Sequence, residues 1–96
     1  MDIVVAYDIN TETRAGERRL ARVAAICERY GERAQYSVFE CRLNDVRLAR
    51  LVAELRDEIN PRADSIHIYQ LAGDIEHASS RIGRQRKHDI GQPWIL

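Results

Sequence analysis

The order of apolar patterns along this chain predicts an α+β fold, with two amphipathic helices on one side of an antiparallel sheet. Three observations predict it. Residues 3–7 form an unbroken apolar run rich in β-branched residues, the mark of a strand buried on both faces and central in its sheet. Two later stretches repeat apolar residues at i, i+3, i+4 and i+7, the spacing of a helix with one buried side. A third pattern, in residues 38–43, alternates with the period of two that belongs to a half-buried strand.

The elements follow in order. After the first strand, a polar loop over residues 10–13 offers two threonines as helix caps. Leu20, Val23, Ala24, Cys27 and Tyr30 then mark a helix over residues 14–30, with Gly31 as its stop signal. Residues 32–43 read as a strand pair bending near residues 35–37, without an Asn-Gly or Gly-Gly hairpin signal, and both Tyr36 and Phe39 are candidate core aromatics. Asn44 caps a second helix with the apolar stripe Leu48, Leu51, Val52, Leu55 and Ile59, ended by Asn60-Pro61. Residues 66–71 form the last core strand, closed by Ala72-Gly73.

Strand, helix, two strands, helix, strand is the split β-α-β, or ferredoxin-like, arrangement. Both helices cover one sheet face, so the other face keeps apolar residues of the first strand in need of a cover. A second copy of the chain, packed sheet to sheet, is the simplest one. The core is expected over residues 1–73. Residues 74–96 are expected to form a separate tail with a short strand near residues 80–83, added to a sheet edge of its own or the other subunit. That tail holds Arg81, Arg84, Arg86 and Lys87 without an intervening acid, then ends on the apolar cluster Pro93-Trp94-Ile95-Leu96, which is expected to dock on a partner subunit.

Ninety-six residues make one domain, and zero net charge gives no global field that would draw in nucleic acid. Fourteen of the 15 basic residues are arginine. Its planar fork suits phosphate, although codon preference gives the same bias. Cys27 and Cys41 lack a metal or redox spacing and read as buried thiols of a reducing compartment. No signal peptide precedes the first strand, and the longest apolar run is far too short to span a bilayer, so a cytoplasmic protein without membrane contact is expected.

The chemistry centres on Asp8, a carboxylate where the buried strand meets a loop. Such a group is placed to hold a metal ion or substrate, and an Asp there also serves simply to turn or cap the chain. Arg14, Arg18 and Arg22 recur at four-residue spacing with Arg19 beside them, on a helix side expected near Asp8. They are either a solvated face or a phosphate track. The basic tail segment, including Arg84, Arg86 and Lys87, leaves the same two readings. His67, His77 and His88 share no ligand spacing, and His67 is expected to be structural or exposed. A small-molecule regulatory domain is a further reading of the architecture, but no glycine-rich ligand loop supports it.

Ile3-Val4-Val5-Ala6-Tyr7-Asp8-Ile9 resembles the opening motif of the small CRISPR-associated endoribonuclease family, the lesser of the two universal spacer-acquisition proteins. Gln35-Tyr36-Ser37-Val38-Phe39-Glu40-Cys41 is similar to its second signature, and Ile82-Gly83 to a short motif near its C-terminus. The resemblance implies a ferredoxin-like homodimer in which Asp8 from each subunit converges on one magnesium or manganese ion. It implies a metal-dependent phosphodiesterase acting on RNA or duplex DNA, and a second role as a duplex-holding bridge between dimers of the larger CRISPR-associated integrase. Tyr7, Asn10 and Phe39 would support or border the site, and Arg33 matches the arginine before the second motif. Leu20 stands where some relatives carry a basic residue, so Arg22 carries over better than Arg14, Arg18 or Arg19.

Overall fold

The computed structural model describes residues 1–73 together with Ile75 and Ser80. Its elements run β1 (Asp2–Asp8), α1 (Arg14–Glu28), β2 (Gly31–Gln35), β3 (Val38–Arg42), α2 (Asp45–Glu58) and β4 (Ser65–Gln70). The sheet is antiparallel in the order β2-β3-β1-β4, the strand order of the ferredoxin-like arrangement. The apolar first strand therefore lies inside the sheet, between β3 and β4.

Register explains which residues are buried. Ile3 pairs with Cys41 and Val5 with Phe39 on one side of β1, while Val5 and Tyr7 oppose Ile68 and Ile66 on the other. These residues point to the helix side, because successive strand residues alternate faces. There they meet Val23 and Cys27 of α1 and Leu51 and Leu55 of α2 in one core. Burying each such aliphatic or aromatic side chain contributes roughly 1.5–3 kcal/mol. Burial pushes the thiols up, Cys27 to about 12 and Cys41 to about 11, so both stay protonated and inert.

The opposite face carries Val4, Ala6 and Val38, half-buried, beside the exposed His67 and Tyr69. The two rings stack with centroids 6.2 Å apart. Val4, Ala6 and Val38 form an apolar centre on this face, with the buried Glu40 paired to Val4 beside them.

Several local expectations are corrected. The first helix ends at Glu28, not at residue 30. Arg29 and Tyr30 donate back to the Ile26 and Cys27 carbonyls at 3.1 and 3.0 Å, which closes the last turn. Gly31 is the first residue of β2. A Cβ there would lie 2.3 Å from the Glu40 carbonyl oxygen and 2.5 Å from the Cys41 sulfur, so close strand approach requires glycine. Leu20 lies outside the core, and Tyr36 is an exposed turn residue. Ile75 is buried, and its N–H donates to Asp2 at 2.7 Å. The expected strand near residues 80–83, the basic residues Arg84, Arg86 and Lys87, and the apolar end lie outside the described residues.

Candidate active site

Asp8 closes β1 on the open face, in line with Val4 and Ala6, and is exposed. Among the described residues, none pairs with or donates to its carboxylate. On β4 it stands opposite Ser65. The β1–β3 pairing ends at Ala6–Val38, and the turn residues Tyr36 and Ser37 lie just beyond it. Strand and turn remain in contact there, because the Tyr7 N–H donates to the Ser37 carbonyl at 3.0 Å.

The loop after Asp8 is held from below by a residue that sequence reasoning missed. Asp64 has no exposed side-chain surface and is tied to Arg19 at 2.8 Å. It accepts from the Asn10 and Asn60 N–H groups at 3.0 and 2.9 Å. Burial alone would push the Asp64 carboxyl up, but the Arg19 hydrogen bond and the two amides outweigh it and hold it below the ordinary 3.8. One carboxylate thus joins the loop after β1, the first helix and the turn after the second helix. The Asn10 side chain shapes the same loop by accepting from the Glu12 N–H at 2.9 Å. Thr13 caps α1 through the Gly16 N–H at 3.0 Å. A Cβ at Gly16 would meet the Asn10 carbonyl oxygen at 1.9 Å, so the helix start approaches the loop closely only because residue 16 is glycine.

Beside Asp8 opens a cleft of about 480 Å³. Tyr7, Arg33, Tyr36 and Ser37 line one side, and Glu17, Leu20, Ala21 and Ala24 of α1 line another. The Tyr7 hydroxyl donates to the Tyr36 carbonyl at 3.1 Å and braces the hairpin tip. Burial raises the Tyr7 hydroxyl above its ordinary range, so it remains a donor. Phe39 is fully buried and stacks on the Tyr7 ring at 6.1 Å, so it supports the cleft from beneath and does not form its wall. The Arg33 guanidinium sits over the Phe39 ring at 5.2 Å, placing a cation at the cleft.

The arginines of α1 are arranged differently from the expected track. The side of α1 that lines the cleft carries Glu17, Leu20, Ala21 and Ala24. Arg19 is committed to Asp64, and Arg22 pairs with Glu58 of α2. Arg14 and Arg18 are exposed and do not line the cleft. Of the predicted basic residues that are described, Arg33 is the one that lines it.

No group of three or more His, Cys, Asp or Glu residues able to hold a metal occurs among the described residues. Asp8 fits as one oxygen ligand of a hard cation. Magnesium needs only one or two carboxylates when substrate phosphate and water complete its shell. No helix among the described residues is long and apolar enough to cross a membrane.

Comparison with known proteins agrees with the fold and the motifs. The family model described as CRISPR associated protein Cas2 matches residues 1–76. The CRISPR-associated endoribonuclease Cas2 of Chlorobaculum tepidum is 42% identical over 96 residues, covering 100% of both chains. The CRISPR-associated endonuclease Cas2 of Halalkalibacterium halodurans is 36% identical, again covering 100% of both. The crystal structure of Streptococcus pyogenes Cas2 superposes with a TM-score of 0.78 at 38% identity, covering 86% of this chain and 100% of that one. The chain belongs to the Cas2 family.

Proposed function

We propose that this member of the Cas2 family is a homodimeric, divalent-metal-dependent endonuclease of CRISPR spacer acquisition, hydrolysing phosphodiester bonds of single-stranded RNA or duplex DNA in the cytoplasm. The observation that carries it is Asp8: an exposed carboxylate on a rigid central strand, without a partner among the described residues, beside a cleft that Arg33 also lines. The names of its relatives as endoribonucleases and endonucleases support the reaction class.

Asp8 continues the row of Val4 and Ala6, so a second copy packed on that apolar row brings its own Asp8 toward the same rim. The two carboxylates together would hold magnesium or manganese. When bound, such an ion polarises the phosphodiester and lowers the pKa of an attacking water. Arg33 contributes a guanidinium for a phosphate oxygen. Tyr7 holds the hairpin tip in place through its hydroxyl, and Asp64 fixes the loop that follows the carboxylate.

Cleavage of labelled RNA and DNA with magnesium, with chelator and with Asp8→Asn tests this reading. Loss of cleavage in both the chelated and the substituted samples supports it, and cleavage indifferent to both overturns it.

A second reading is favoured by the exposed Arg14 and Arg18, which do not line the cleft. In it the dimer is a duplex-holding scaffold between dimers of the larger integrase, its arginines contacting phosphates without reading sequence. Salt-sensitive duplex binding that survives Asp8→Asn and falls in Arg14→Ala/Arg18→Ala marks that role.

A further inference from the structure

We infer that the Tyr36 ring is a stacking platform for one unpaired nucleobase at the lip of the Asp8 cleft. The inference rests on the reading that this cleft takes a phosphodiester, and it adds a base subsite to it.

Tyr36 is the most solvent-facing large apolar side chain among the described residues, 91% exposed against 60% for Val46 and 54% for Tyr69. Its position is not that of a frayed loop. Tyr36 and Ser37 are the two residues between Gln35 and Val38, which pair across the hairpin. The carbonyl of Tyr36 accepts from the Tyr7 hydroxyl and that of Ser37 from the Tyr7 N–H, at 3.1 and 3.0 Å. Tyr7 itself is only 5% exposed, so the tip is fastened to the core of the molecule. A register irregularity between Arg33 and Gln35 sits just before the tip. Such bulges re-aim the side chains that follow.

The surroundings select the ligand. Tyr36 shares the cleft with Asp8 and Arg33, while Leu20, Ala21 and Ala24 line it from α1. A ring beside a guanidinium and a potential metal ligand matches one nucleotide, its phosphate at the charges and its base on the aromatic face. Ring and carboxylate line the same cleft, which keeps them within a single nucleotide's reach. Stacking needs an open base face, which a duplex hides and a single strand, a bulge or a frayed end presents. Stacking by itself is indifferent to sequence, with purines favoured by their larger area.

The test uses the full chain with short fluorescent single strands, as RNA and as DNA, each carrying one abasic site moved stepwise along it. Binding is measured in calcium, and cleavage in magnesium. Tyr36→Ala is expected to weaken single-strand binding about tenfold, and Tyr36→Phe to change it by no more than about twofold. One abasic position should weaken the wild-type protein by the same factor and leave Tyr36→Ala unaffected. The RNA and DNA series tell which strand the subsite serves, and fully paired duplex should bind both proteins equally. Equal binding of intact and abasic strands by wild type and Tyr36→Ala would overturn the platform. So would Tyr36→Phe failing as badly as Tyr36→Ala, which would make the hydroxyl the contact, or a loss of integrase binding alone, which would make Tyr36 a protein contact. Asp8→Asn separates the two readings: cleavage that survives it refutes the proposed chemistry, while a persisting abasic effect on binding still upholds the subsite.

Discussion

Asp2 and Asp8 stand at the two ends of one strand and on the same face of it, yet the chain treats them oppositely. Asp2 is 4% exposed and takes two hydrogen bonds from Arg42, at 2.9 and 3.3 Å, and a third from the Ile75 N–H. The Arg42 hydrogen bond, working against burial and helped by the Ile75 amide, holds its carboxyl below the ordinary 3.8. Asp8 is exposed and takes nothing from any described residue. A carboxylate held by three donors holds a fold together, and one left open is available to something outside it. The strand thus has a structural end and an open one.

Exchanging the two ends' properties is the sharpest way to break that comparison. Asp8→Asn should lower magnesium-dependent cleavage by at least about 100-fold while shifting unfolding by less than about 0.5 kcal/mol, because an open surface carboxylate supports little else. Parallel cleavage assays and urea melts check it, and a destabilised Asp8→Asn would erase the contrast. Asp64→Ala comes next. It leaves Arg19 and two amides unanswered around a buried site, and should cost about 3 kcal/mol, with cleavage falling as the loop after Asp8 loosens. Asp2→Ala should cost about 2 kcal/mol, less than Asp64→Ala because the Arg42 side chain is 51% exposed and can rehydrate. At a temperature where it remains folded, its cleavage should match the parent. Gly16→Ala forces a methyl toward the Asn10 carbonyl and should cost about 1–2 kcal/mol, together with part of the activity.

The smallest effect is in pH. Asp2 and Asp64 have folded values below 3.8, so their stabilisation is fully present above that value and is lost as pH falls through the lower folded values. Melting temperature should decline below about pH 4, and less steeply in Asp2→Asn or Asp64→Asn than in the parent. An identical slope in all three proteins would remove these two groups from the acid response.

Much of this was legible in sequence because it is periodic. The apolar run of β1, the α2 stripe and the alternation of Phe39, Cys41 and Leu43 each declare their element and their buried side. Asp8 was legible too, as the carboxylate that interrupts an apolar strand. The remainder depends on contacts that local patterns do not encode. Tyr36 looked like core until the chain turned at that residue without glycine or asparagine to announce it. Leu20 lies at a helical spacing from Val23 and Ala24, but it lines the open cleft and stays exposed. The four-residue spacing of Arg14, Arg18 and Arg22 does not say which side of α1 lines the cleft; the docking of the helix gives that side to Glu17, Leu20, Ala21 and Ala24. Asp64 is hard to single out, since beside the nearby Asn60 amide its partners Arg19 and Asn10 lie 45 and 54 residues away.

Manganese binding tests most directly the proposal that the open carboxylate is completed by a second copy of the chain. Electron paramagnetic resonance of manganese titrated into the parent protein and into Asp8→Asn should give one tightly held ion for every two chains of the parent and none in the variant. Equal manganese binding by both proteins, or none by either, would contradict it.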